Sequence, residues 1–219
     1  METLALIIFF VATAIHLYAS IKTNKKLRNY TKPFILTSLL AYYCFSTQKI
    51  NIFVVLALIF SWIGDVFLII PGVKWFTIGG ISFEISHVFF ILSYRSLADL
   101  SCFYTNTTYK IIAHILMIIF FIIVSIIFKY LKKYLPKSLF YPMYMYLFVN
   151  GLMNCYAIFR YMSNNCLSNL LTCIGAILFF ISDSTLFFVR FKKDAKQKNH
   201  FWVMLTYSIG EFLIVLGLI

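Results

Sequence analysis

The chain is a succession of long apolar runs separated by short polar stretches, and the lengths of the runs decide what they form. Most hold about the 17 to 25 residues that a hydrocarbon core of about 30 Å requires of a helix, and none shows the period-two alternation of a barrel strand. Eight spans follow, at about residues 4–21, 33–46, 50–70, 76–97, 111–128, 139–160, 170–191 and 201–219, the second being the shortest. The first is a spanning helix rather than a signal peptide, because "METLALIIFF" has no basic leading segment and its apolar run is long. No linker, low-complexity tract or shift in composition divides the chain. The expectation is one all-α domain over residues 1–219, a polytopic integral membrane protein.

Composition agrees. Hydrophobic residues make up 62% of the chain and charged residues 12%, against about 45–50% and 25% in soluble domains. The net charge of +12 raises nucleic acid as a partner, but the bases sit in the connections between spans, where they act as topology signals, and no nucleic-acid partner is expected. With bases at span edges given to the nearest loop, fifteen of the nineteen Lys and Arg fall in loops 1, 3, 5 and 7. The remainder are Lys49, Arg95, Lys110 and Arg160. This bias puts the odd loops in the cytoplasm and both termini on the other side. The sequon "NTT" at Asn106 falls in loop 4, on the expected non-cytoplasmic face where a glycan can be added. An endoplasmic reticulum or plasma membrane is the expected location. Five cysteines, Cys44, Cys102, Cys155, Cys166 and Cys173, have no paired metal spacing, so neither a disulfide framework nor a zinc site is expected. A faint echo between spans 3 and 7, each with an aspartate in its cytoplasmic-side third, fits a 4+4 parallel repeat without establishing one.

The acids change the picture most. Asp65 in "SWIGDVFLII", Glu84, Asp183 in "FFISDSTLFF" and Glu211 all lie within spans, whereas every Lys and Arg is read as a loop or span-edge residue. An ionisable group in a span costs at least about 2.5–3.5 kcal/mol on insertion scales, and its default explanation is a functional cavity. Asp65 and Asp183 sit at matched depth, roughly 8–11 Å inside the cytoplasmic surface at 1.5 Å per residue. Lys32, His87, Tyr207 and Glu211 come near the same level, and a pocket open to the cytoplasmic leaflet would gather them. Either aspartate alone can equally cap a broken helix or bond a neighbouring one; the matched pair argues for a site. In such a site two carboxyls share a proton, one serving as acid and the other as base. His87 lies three residues beyond Glu84 on the same helix face, so those two can instead satisfy each other. His16 and His114 read as packing or lipid-facing residues and His200 as a loop residue. No P-loop, dinucleotide loop or G-x-S-x-G elbow is present.

Five stretches taken in order, "TKPFILTSLLAYY" (31–43), "SWIGDVFLII" (61–70), "FTIGGISFEISHVFFILSY" (76–94), "GAILFFISDSTLFF" (175–188) and "YSIGEFLIVLG" (207–217), give the chain a resemblance to the YhhN family of lysoplasmalogenases. The resemblance covers nearly the whole chain. It implies hydrolysis of the vinyl ether bond of lysoplasmalogens to a fatty aldehyde and a glycerophospho-base, without a cofactor. It places the family's acidic motifs on Asp65 and Asp183, its Lys-Pro motif on Lys32 and Pro33, its span-4 histidine on His87 and its last-span tyrosine on Tyr207. Two departures stand out: Glu211 occupies a position where the family usually has Gln, and "FILTS" lacks a second proline often found after the Lys-Pro motif.

The chemistry suits the residues independently. Protonating the β-carbon of a vinyl ether gives an oxocarbenium ion, which water traps as a hemiacetal, so one neutral carboxyl and one carboxylate are the groups required. Asp65 and Asp183 are the expected catalytic pair, with the donor left open. Lys32 is expected at the lipid phosphate, and His87, Tyr207 and Glu211 around water or the head group. Asn150 and Asn154, one helical turn apart, are expected to line the same pocket. The partners are a lysophospholipid and the bilayer. Rival readings of the same acids are a metal-dependent membrane hydrolase, a proton-coupled transporter or channel, and a lipid-binding protein without activity.

Overall fold

The computed structural model describes residues 1–192 and 199–219. Eight long helices carry the fold: α1 (Glu2–Ile21), α2 (Lys25–Ser46), α3 (Ile52–Ile69), α4 (Val73–Leu97), α6 (Thr107–Leu131), α7 (Phe140–Ser163), α8 (Leu167–Phe191) and α9 (Asn199–Leu216). A four-residue α5 (Cys102–Thr105) precedes α6. Asparagine side chains start three of the helices: Asn24, Asn51 and Asn106 each accept a backbone N–H from the first turn that follows. Between α3 and α4 the chain turns at Pro71-Gly72, where a φ of 127° at Gly72 requires glycine.

Five of these helices, α1, α3, α4, α6 and α8, are long and apolar enough to cross a membrane. The chain is thus a multi-pass membrane protein, and the eight expected spans all correspond to helices. The other three miss that measure for identifiable reasons. The first turns of α2 carry Lys25, Lys26 and Arg28, α7 carries Asn150, Asn154 and Arg160 on its buried side, and the apolar run of α9, His200–Leu216, is short.

Seven helices close a circuit: α1 packs on α2, α2 on α3, α3 on α4, α4 on α7, α7 on α8, α8 on α9, and α9 back on α1. Helix α6 stands outside it against α7 and turns a row of exposed apolar residues, Ile111, Ile115, Ile118, Ile122 and Ile126, away from the protein. Lipid is the natural cover for such a face. Two of the most extensive pairings, α3 with α4 and α8 with α9, are made close by glycine. A Cβ on Gly175 would lie 2.6 Å from the Gly210 carbonyl oxygen and 2.8 Å from the Ile214 nitrogen. Both are backbone atoms that cannot swing aside. Gly175→Ala is therefore expected to destabilise the protein by about 1–3 kcal/mol, read as a lower Tm in detergent; an unchanged Tm would show that the α8–α9 contact yields freely.

Two sequence expectations are corrected. The second span does not begin at residue 33: α2 starts at Lys25, is 22 residues long and contains Pro33 in its interior. Its first two turns are too polar to show in hydropathy. Loop 1 shrinks accordingly, and Lys32 becomes a buried helix residue. Nor is Arg160 a loop charge. It is buried, donating to Thr172 Oγ1 at 2.9 Å and to the Gly217 carbonyl at 3.0 Å, so it ties α7 to α8 and to the end of α9.

Candidate active site

Asp65 is one turn from the end of α3 and 2% exposed. It has a basic partner, although every Lys and Arg reads from the sequence as a loop or span-edge residue. Lys32 Nζ lies 3.0 Å from its Oδ1, and the Tyr207 hydroxyl donates to its Oδ2 at 2.9 Å. Lys32 reaches inward because α2 extends a further two turns below it, which places it on the inner face of the circuit rather than on a loop.

Asp183, on α8, is 3% exposed and sits in different surroundings. Its Oδ2 accepts hydrogen bonds from the Tyr146 hydroxyl at 2.5 Å and from Asn150 Nδ2 at 2.7 Å, both on α7. Asn154, one turn further, donates to the Asn150 carbonyl and to Asn150 Oδ1 and so supports this contact. His87 Nε2 stands 3.5 Å from the same carboxylate oxygen, too far for a good hydrogen bond but close enough to become one after a small shift. The partners of Asp183 are thus two neutral donors and a histidine, whereas Asp65 has an ammonium.

Aromatic rings join the two carboxyl environments. The Phe179 ring lies 4.9 Å from the His87 ring and 5.3 Å from the Tyr207 ring, and Phe83 packs edge-on against both Phe179 and Tyr207. Such packing fixes the histidine and tyrosine that touch the acids and leaves little polar solvation around them. One turn before Asp65, Ser61 shares a 2.8 Å hydrogen bond with Ser86, the neighbour of His87. Glu211 is fully buried one turn beyond Tyr207, and neither of its carboxyl oxygens has a hydrogen-bond partner among the described residues.

The remaining expectations divide. Glu84 does not pair with His87; it is half-buried and lines a narrow apolar crevice between α4 and α7 with Phe76, Gly80, Ile81, Met143 and Tyr146. His16 faces inward rather than to lipid: it is 1% exposed, with Nδ1 2.9 Å from Thr31 Oγ1. His114 is exposed on α6 and bonds only the Lys110 carbonyl of its own helix. His200 belongs to the first turn of α9 rather than to a loop. Among the described residues no three His, Cys, Asp or Glu side chains gather as metal ligands would. Sequence reasoning missed Tyr146, although its position four residues before Asn150 puts it on the same helical stripe.

At the end of the bundle where α2, α4 and α9 begin and α3 and α8 end, two adjoining cavities of about 250 and 120 Å³ open beside Lys32. A family model described as the YhhN family matches residues 27–218. No curated protein and no solved structure matches the chain.

Proposed function

The chain belongs to the YhhN family, and from that premise, joined to the geometry of the two acids, we propose that it hydrolyses the vinyl ether bond of lysoplasmalogens. Membership fits a membrane hydrolase of this type, and the observation that carries the finer reading is the inequality of the carboxyls. Asp65 is matched by the Lys32 ammonium and serves as the carboxylate. Asp183 is bonded to neutral groups, and an uncompensated charge out of water is costly. It holds the proton, with Oδ2 occupied by Tyr146 and Asn150 and Oδ1 left to carry it.

The steps then balance. Asp183 gives its proton to the β-carbon of the alkenyl chain, and positive charge develops on the ether-bearing carbon and its oxygen, facing the Asp65 carboxylate. Water adds to that carbon as Asp65 takes a proton from it. The hemiacetal collapses when Asp65 returns this proton to the glycerol oxygen and Asp183 removes the one on the hemiacetal hydroxyl. The carbon–oxygen bond to glycerol breaks, aldehyde and glycerophospho-base separate, and both carboxyls are back in their starting forms. Tyr207, Tyr146 and Asn150 hold the acids in place, and Phe179 and Phe83 keep bulk water away. Glu211, whose carboxyl oxygens have no hydrogen-bond partner among the described residues, fits as a neutral carboxyl in the place of the family's usual Gln.

The apolar crevice beside Tyr146 is the proposed path of the alkenyl chain. Gly80 lines it, and a Cβ at this position meets open space. Gly80→Leu is expected to leave Tm unchanged while raising KM for long-chain substrates by about tenfold, the loss of one or two well-buried methylenes. Equal KM values would send the chain elsewhere. The reaction itself is tested with protein purified in detergent: lysoplasmenyl-ethanolamine or lysoplasmenyl-choline should yield free aldehyde, and saturated 1-acyl analogues should not. Silence of the wild-type protein toward both vinyl ether lipids would refute the proposed activity.

A further inference from the structure

The two cavities beside Lys32 are lined by an unusual set of side chains. Lys25, Arg28 and Lys32 from α2, Arg190 from α8, His200 from α9 and His16 from α1 face them, with no carboxylate among the described lining residues. Among the described residues Lys32 alone of these cations has an acidic partner, and that partner is Asp65. The first turn of α2 has no acid either, although Lys25, Lys26 and Arg28 crowd the positive end of its dipole. Like charges gathered around one cavity repel one another, and an anion entering it relieves that repulsion.

The spacing says which part of a substrate the anion belongs to. Lys25, Arg28 and Lys32 recur on one face of α2, so Arg28 is attached one helical turn, about 5.4 Å along the axis, outward from Lys32. In a glycerophospholipid the phosphate is separated from the sn-1 ether oxygen by the three carbons of glycerol, a span of comparable length. Arg190 approaches from α8, and its guanidinium rests over the Phe76 ring at 5.7 Å from the centroid. Phe76 lines both the larger basic cavity and the apolar crevice.

We infer that this vestibule is the phosphate subsite, in which Arg28 and Arg190, aided by Lys25, grip the phosphodiester of a single-chain glycerophospholipid. This rests on the proposed reaction for the identity of the lipid and goes beyond it in placing the head group. It also moves the phosphate away from Lys32. A guanidinium matches phosphate geometry through paired N–H donors, and Lys32 is committed to Asp65.

The experiment separates binding from chemistry by using a saturated 1-O-alkyl lysophospholipid, which has the phosphate but no vinyl ether to cleave. Its Kd for the full-length protein in detergent is measured beside those of 1-O-alkylglycerol and inorganic phosphate. Arg28→Gln and Arg190→Gln are each expected to weaken the phospholipid by about tenfold, the loss of one charge-assisted contact, while leaving 1-O-alkylglycerol unaffected. Lys49→Gln, on an exposed residue at the opposite end of the bundle, should change neither. If the arginine variants keep wild-type phospholipid affinity, or lose both lipids equally, the subsite is not here. Inorganic phosphate binding as tightly as the lipid would make free phosphate the occupant and overturn the head-group assignment. Arginine-dependent phospholipid binding by a protein that releases no aldehyde would uphold the subsite and reject the reaction; aldehyde release with arginine-independent binding would do the reverse.

Discussion

Asp183→Asn is expected to release aldehyde about 10² to 10⁴ times more slowly than the wild-type protein, the range contributed by a positioned general acid, with KM nearly unchanged. The substitution preserves volume, and its side-chain oxygen can still accept from Tyr146 and Asn150. What it removes is a proton acidic enough to be passed to carbon. The loss should appear in kcat because the proposed binding surfaces are the vestibule and the crevice, neither of which Asp183 lines. In D2O the aldehyde formed by the wild-type protein should carry one solvent deuterium on the carbon next to the carbonyl. Activity of Asp183→Asn within a few-fold of wild type would remove Asp183 from the proton-donating role.

The second large effect concerns stability. Lys32→Met leaves the Asp65 carboxylate buried without its ammonium, and removing one member of a buried ion pair typically costs about 3–5 kcal/mol. Thermal unfolding in detergent should fall markedly. In Lys32→Met/Asp65→Asn, where both charges are gone, most of that loss should be recovered while aldehyde release stays abolished. The double variant thus separates a folding defect from a chemical one. A Lys32→Met protein as stable as wild type would mean that Asp65 is not maintained as an anion by Lys32, and the division of labour between the two acids would have to be reversed.

Hydropathy revealed the helices well wherever a long apolar run had polar ends, as in α3, α6 and α8. It failed at the start of α2, because six polar or basic residues from Lys25 to Lys32 look like a connection. They belong to a helix whose polar face, with Lys25, Arg28 and Lys32, lines the cavities at that end. Lys32 and Arg160 were misjudged for one shared reason: a base near the end of a span normally marks its loop, and only tertiary contacts reveal that these two turn inward. Asp65 and Asp183 were conspicuous as charges in apolar surroundings. Tyr146 was not, since tyrosine is abundant in this chain, with 15 copies, and belongs naturally at membrane interfaces. The vestibule was hidden more thoroughly, as its cations come from helices far apart in sequence and each alone reads as a topology signal.

Phe76, which borders the basic vestibule on one side and the apolar crevice on the other, has a consequence for what happens after the bond is broken. In the proposed reaction an amphiphile is cut at the junction between its water-loving and oil-loving halves, and those halves face different exits. The glycerophospho-base can drain toward the aqueous face without crossing hydrocarbon, and the aldehyde can slip between α4 and α7 into the bilayer without meeting water. Turnover would then be governed by two independent departures, and a membrane already loaded with long-chain aldehyde would slow the enzyme through only one of them.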